Sequence, residues 1–160
     1  MEFEVSRRAG DVAAAAQIWA AATSARDGHR DVPGLDISRP IIQGVLDRSA
    51  RSMLLMARSG DGEAGGFAAV QPAEGAGTVT AQVSYLGVRP GDWGRGIGEA
   101  LLRELPQALA QAGFTRAELS VYVENGRATR LYERLGWRPF GEPTPHPRTG
   151  KPGQRYELSL

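Results

Sequence analysis

The stretch that most constrains the fold is Val88-Arg89-Pro90-Gly91-Asp92-Trp93-Gly94-Arg95-Gly96-Ile97-Gly98-Glu99-Ala100-Leu101-Leu102. An apolar strand, Val79 to Val88, ends in a proline-glycine turn, and three alternating glycines open into an amphipathic helix. Such a turn presents bare backbone N–H groups and the positive end of a helix dipole. With no Cβ in the way, a bulky anion can reach those amides. Ile97, Leu101, Leu105 and Leu109 recur every fourth residue beside Leu102, so the helix buries one stripe to about Ala112, with Gly113 past its end. Pro106 lies inside that stripe and removes one helical hydrogen bond. Ala117 to Val123 then reads as a second strand. A strand–helix–strand crossover makes its two strands parallel.

The remaining segments fill in around this unit. Phe3 to Arg7 alternates as a first strand, and Asp11 is expected to cap an alanine-rich helix to about Ala25. Arg26 to Gly34 is polar and turn-rich, and Pro40 to Ser49 places Ile41, Ile42, Val45 and Leu46 on one helical stripe. Two strands, Ser52–Arg58 and Gly66–Gln71, flank the turn Ser59-Gly60-Asp61-Gly62, and Gly75-Ala76-Gly77 turns the chain again. After the crossover, Asn125 caps a short helix to Leu135, and Gly136 ends it. Trp137–Phe140 and Arg155–Leu160 close the sheet around a proline-rich loop, Pro143 to Gly150. Residues 1–160 are expected to form one α/β domain with a mixed sheet.

Composition excludes several classes. A net charge of +1 is too small to argue for nucleic acid, and no apolar run is long enough to span a bilayer. The N-terminus does not read as a signal peptide, which makes a cytoplasmic location the expectation. Without cysteine there is no acyl-cysteine intermediate and no thiolate metal site, and His29 and His146 have no zinc-ligand spacing, so no metal is expected. The glycines at 94, 96 and 98 form G-x-G-x-G mid-chain rather than the G-x-G-x-x-G of a first dinucleotide-binding turn, and the P-loop signature is absent. Taken alone, the cluster also suits a loop chosen for tight packing.

Downstream stands Leu119-Ser120-Val121-Tyr122-Val123-Glu124-Asn125-Gly126-Arg127-Ala128-Thr129-Arg130-Leu131-Tyr132-Glu133-Arg134-Leu135-Gly136-Trp137. The two stretches together resemble the GNAT superfamily of acyl-CoA-dependent N-acetyltransferases. The resemblance implies a mixed, mostly antiparallel sheet of six to seven strands with about four helices, splayed into a V between the fourth and fifth strands. It implies acetyl-CoA as co-substrate. Leu86, Gly87 and Val88 match the strand whose backbone pairs with the pantetheine arm. Gly94, Arg95, Gly96, Ile97, Gly98 and Glu99 match the turn that holds the pyrophosphate. Asn125 matches a residue on the cofactor arm, and Tyr132 the tyrosine that contacts CoA and protonates its departing thiolate. Two positions depart from the pattern: Trp93 stands where the family has glutamine or arginine, and Gln82 and Ser120 stand where relatives often place a basic glutamate.

Acetyl transfer to an amine requires a neutral amine, a stabilised oxyanion and a protonated leaving group. The proton acceptor is expected to be water relayed by Gln82, Ser84 or Tyr122, or else Asp27, His29 or Asp31 of the early loop. A backbone N–H near Leu86 is expected to hold the oxyanion. Tyr132 also shares an apolar helical stripe with Ala128, Leu131 and Leu135, which a core role explains equally. Arg127, Arg130 and Arg134 form either a solvated face or a docking point for the CoA 3′-phosphate. The segment Pro143 to Gly153, with His146, Arg148 and Lys151, is either an acceptor lid or a surface excursion. The expected reaction is direct transfer from acetyl-CoA to a primary amine of a small molecule or of a peptide or protein N-terminus, by a monomer or homodimer. The competing readings are a CoA-binding sensor with little or no turnover and a nucleotide-phosphate binder of another fold.

Overall fold

A computed structural model of the chain describes residues 1–75, 79–147 and 149–160. Among them run β1 (Glu2–Ser6), α1 (Ala9–Arg26), α2 (Leu35–Asp47), β2 (Met53–Arg58), β3 (Ala64–Pro72), β4 (Thr80–Val88), a 3-10 turn (Pro90–Asp92), α3 (Ile97–Gln111), β5 (Arg116–Tyr122), α4 (Gly126–Arg134), β6 (Arg138–Pro145) and β7 (Pro152–Ser159). The expected turn at Gly75-Ala76-Gly77 lies partly outside the described residues.

The strands form one seven-stranded sheet in the order β1-β2-β3-β4-β5-β7-β6. Every neighbouring pair is antiparallel except β4 and β5, which are parallel as the crossover requires. That parallel ladder is short: Thr80 opposes Arg116, Ala81 opposes Ala117, Gln82 opposes Glu118, and there it stops.

Helices cover both faces. Successive residues of β2 alternate between two cores, which is why its sequence is an unbroken apolar run. Met53, Leu55 and Ala57 face α3 with Leu101, Leu105 and Leu109, while Leu54 and Met56 face α1 and α2 with Val12, Ile18, Ile42 and Leu46. Each fully buried leucine of α3 contributes about 2 kcal/mol of transfer free energy. A helix cap is worth roughly 1 kcal/mol. Packing therefore decides where α3 lies. It lies close: a Cβ added at Gly66 of β3 would come within 3.0 Å of both Ile97 Cγ2 and Leu101 Cδ1.

Three expectations are corrected. Asp11 does not cap α1; Arg8 is the cap residue, and Asp11 sits buried in the first turn. There it accepts hydrogen bonds from Ser6 Oγ (2.5 Å), Arg8 Nε (3.1 Å) and the Arg58 guanidinium, tying the helix start to β1 and β2. Helix α2 starts at Leu35, five residues before Pro40. The proline removes only one hydrogen bond, and the apolar stripe beyond it holds the helix in place. The proline-rich loop starts later than expected, because β6 continues to Pro145 opposite Pro152. As an edge strand with one neighbour, β6 tolerates prolines that a central strand would not.

Burial pushes the Asp11 carboxyl up, but its hydrogen bonds from Ser6, Arg58 and Arg8 outweigh that and hold it below the usual carboxylate value. A depressed folded-state pKa gives stability that is present above the unfolded value near 4 and lost as pH falls through the folded one. Asp11→Asn should cost about 2 kcal/mol at neutral pH in urea unfolding. The variant should also lose less stability than the parent between roughly pH 5 and 2.

Candidate active site

Beyond the Gln82–Glu118 pair, β4 and β5 diverge. The opposite edge of β4 bears a bulge, where Ala69 opposes Tyr85 but Val70 opposes Val83, so Ser84 is the extra residue. A bulge bends its strand and sharpens the twist, and this one lies where the ladder to β5 is lost. Leu86, Gly87 and Val88 keep their partners Ala68, Phe67 and Gly66 on the β3 side. On the other side their edge faces the gap, as the expected pantetheine contact requires.

The turn after β4 is held from beneath. Asp92 is buried; its carboxylate takes Arg89 at 2.7 Å and Arg95 at 3.3 Å. Trp93, half exposed, folds back so that its indole Nε1 donates to the Val88 carbonyl at 2.8 Å. Gly94 and Gly96 have φ of 82° and 80°, a region that residues with a Cβ seldom enter. Gly96 is the cap residue of α3, and its carbonyl accepts from Ala100 N. Among the described residues, the amides of Gly94, Arg95, Gly96, Ile97, Gly98 and Glu99 have no acceptor. Six consecutive unpaired donors at a helix start fit a pyrophosphate.

Several side chains beside this cradle are engaged in ion pairs. Glu99 forms an ion pair with Arg134 of α4 and lies 4.0 Å from Arg103. Of the three α4 arginines, Arg134 is thus engaged within the protein. Asn125 caps α4 as expected, its Oδ1 accepting from Ala128 N at 3.2 Å. Tyr132 is half-buried against the main core, with ring centroids 6.2 Å from Trp137 and 6.1 Å from Tyr156. Its hydroxyl has no hydrogen-bond partner among the described residues, and burial pushes its pKa above the usual phenol value. The buried indole Nε1 of Trp137 is likewise without a partner.

On the α1–α2 side of the splay lies a cavity of about 400 Å³, lined in part by Arg48, Gln71, Gln82, Ser84, Tyr85 and Ser120. Three of these, Gln82, Ser84 and Ser120, were singled out from sequence; Arg48, Gln71 and Tyr85 were not. The signal for Arg48 was its helical spacing after Ile41 and Val45, which line the same cavity. An adjoining recess holds Glu118, bridged to Arg116 at 3.2 Å and Arg155 at 3.4 Å. It stands two residues before Ser120, on the same face of β5.

The β6–β7 loop packs on the end of β5. Thr149 Oγ1 donates to Tyr122 Oη at 3.3 Å, Lys151 Nζ pairs with Glu124 at 2.9 Å, and the His146 ring lies 5.5 Å from that of Tyr122. The Lys151 ammonium is held above its ordinary pKa by Glu124, with a smaller contribution from Asp27 in the α1–α2 connection. His29 and Asp31 are exposed, and Arg148 lies outside the described residues.

Splayed strands, a free-amide turn and a capped helix carrying a half-buried tyrosine are the arrangement that the resemblance to the acyl-CoA-dependent acyltransferases led us to expect. The model of the acetyltransferase (GNAT) family matches residues 16–137, and the chain belongs to that family. It is similar to a mycothiol acetyltransferase of Beutenbergia cavernae, 44% identical over 61 residues, which are 38% of this chain and 20% of that protein. A mycothiol acetyltransferase of Clavibacter michiganensis is 37% identical over 87 residues, 54% of this chain and 27% of the relative. The chain thus spans only a minor part of the length of these relatives.

Among solved structures, the ribosomal-protein-S18-alanine N-acetyltransferase of Escherichia coli superposes with a TM-score of 0.75 at 22% identity, covering 99% of this chain and 94% of that one. YncA of Salmonella typhimurium, solved with acetyl-CoA, gives 0.75 at 18% identity, covering 100% and 95%. These likenesses establish the fold: a seven-stranded mixed sheet with four α-helices among the described residues, as the sequence led us to expect. No helix among the described residues is long and apolar enough to cross a membrane.

Gly96→Val would force a β-branched residue into a left-handed conformation at the head of the free amides. CoA affinity should fall by roughly tenfold or more by calorimetry. Unchanged affinity would remove the turn from the binding site.

Proposed function

We propose that residues 1–160 act as one N-acetyltransferase domain, moving the acetyl group of acetyl-CoA directly to a primary amine. The observation that carries this reading is the junction of the six free amides of Gly94–Glu99 with the unpaired edge of β4. On this reading the pyrophosphate sits on the amides, and the pantetheine arm lies along Leu86, Gly87 and Val88 beside Asn125. The thioester then reaches the gap between β4 and β5. The acceptor is a small-molecule amine or a peptide N-terminus.

In the reaction, the neutral amine nitrogen attacks the thioester carbonyl carbon from the cavity side. A new C–N bond forms as the carbonyl oxygen becomes an oxyanion, held by a backbone N–H near Leu86. The C–S bond then breaks. The Tyr132 hydroxyl, its pKa raised by partial burial, stays protonated through neutral pH and donates its hydrogen to the departing thiolate. The proton lost by the amine leaves through water held among Gln82, Ser84 and Ser120, since no carboxylate is among the described residues lining the cavity. A protein without cysteine has no thiol nucleophile for a covalent acyl intermediate.

The test is thiol release from acetyl-CoA over a broad amine panel. Binding of acetyl-CoA with no release for any acceptor would favour the sensor reading, which the uncharged Gln82 and Ser120 positions support. Tyr132→Phe should lower kcat by about 10- to 100-fold with CoA binding retained, and full activity would return Tyr132 to the core alone. The pH profile of kcat/KM should rise through and above neutrality, because amine deprotonation has no dedicated strong base. A profile flat down to pH 6 would show that a base has been missed.

A further inference from the structure

The cavity on the α1–α2 side has one charged side chain among the described residues lining it, Arg48, the cap residue at the end of α2. The polar groups around it are the uncharged side chains of Gln71, Gln82, Ser84, Tyr85 and Ser120. The Arg48 guanidinium makes no ion pair or hydrogen bond with any described residue. The arginine of the adjoining recess differs: Arg155 is engaged by Glu118. One exposed, unspent cation therefore borders a neutral polar chamber.

That charge selects among amines. A plain alkylammonium entering the chamber meets a like charge and no counter-ion, so both its binding and its protonated form are disfavoured. An acceptor that also carries a carboxylate reverses the balance, because a guanidinium fork binds a carboxylate through two charge-assisted hydrogen bonds. With its carboxylate neutralised by Arg48, such a molecule brings its amine toward Gln82 and Ser120, where the sheet opens. The space suits a small molecule: the cavity holds about 400 Å³, and the backbone of Gly44 on α2 adds room where a Cβ would meet nothing within 4 Å.

We propose that the acceptor is a small amine bearing a carboxylate, an amino acid in the broad sense, held through Arg48. This rests on the acetyltransferase reading above and narrows its acceptor.

The experiment measures thiol release with matched acceptors: amino acids with the amine at varied distance from the carboxylate, their carboxamides, plain alkylamines, and a short peptide without acidic residues. The acids should show kcat/KM roughly tenfold or more above their amides. Arg48→Gln should bring that ratio to about one while leaving KM for acetyl-CoA unchanged, and Arg48→Lys should restore part of it. Gly44→Leu, which fills open space from a helical position, should raise the acceptor KM alone. Amides, alkylamines or the peptide serving as well as the acids would overturn the proposal. So would an acid preference that survives Arg48→Gln, or an acceptor KM indifferent to Gly44→Leu.

No thiol release with any acceptor would instead overturn the acetyltransferase reading. Calorimetry on the CoA-loaded protein then decides the role of Arg48 without turnover. An N-acetyl amino acid should bind more tightly than its N-acetyl amide to the parent, and equally to Arg48→Gln. Equal binding by the parent refutes the carboxylate site.

Discussion

Everything in the site follows from a ladder that stops. β4 and β5 are joined for three residue pairs, and past Gln82 and Glu118 they separate. The parallel direction is imposed by α3, which carries the chain across the sheet face. The bulge at Ser84 bends β4 at the point of parting. Had the ladder continued, the edge of Leu86–Val88 would have been satisfied by β5, with no opening between the face bearing α3 and the face bearing α1 and α2. An interior strand pair left unpaired is costly unless another group supplies its hydrogen bonds. The fold leaves that vacancy between a turn full of free amides on one face and a polar cavity on the other.

The turn before α3 offers backbone donors alongside side-chain charges that are already engaged. Arg89 and Arg95 share Asp92, and Arg134 is held by Glu99. Each of these two carboxylates is shared between arginines, and six amide dipoles and the start of α3 stand beside them. The cavity on the α1–α2 side is arranged the other way round, with Arg48 lacking an ion pair among the described residues and neutral polar side chains beside it. The two faces thus differ in kind: fixed dipoles on one, a side-chain charge on the other.

What the sequence revealed was local. The glycine turn, the leucine stripe of α3 and the Asn125 cap each lie within a few residues, and their periodicity or capping chemistry is written in order. The crossover added one long-range fact, the parallel pair. What stayed hidden was either masked by proline or assembled from distant pieces. Pro40 concealed the first turn of α2, and Pro143 and Pro145 disguised an edge strand as a loop. The cavity on the α1–α2 side draws on α2, β3, β4 and β5, so no single stretch announces it. Asp11 looked like a cap because it is an acid at a helix start, whereas its burial against Arg58 of a distant strand could not be read from spacing.

The contact between Gly66 and α3 has a consequence for how the phosphate turn keeps its place. Ile97 is the first residue of α3 and follows the free-amide glycines directly, yet its side chain rests on a strand backbone with no room to spare. The height of the turn above the sheet is therefore set from inside the core, by a missing methyl group on β3. Enlarging that residue would make Ile97 and Leu101 give way by a few tenths of an ångström. Strain of this kind would enter the start of α3 from below, although every residue of the turn remained intact.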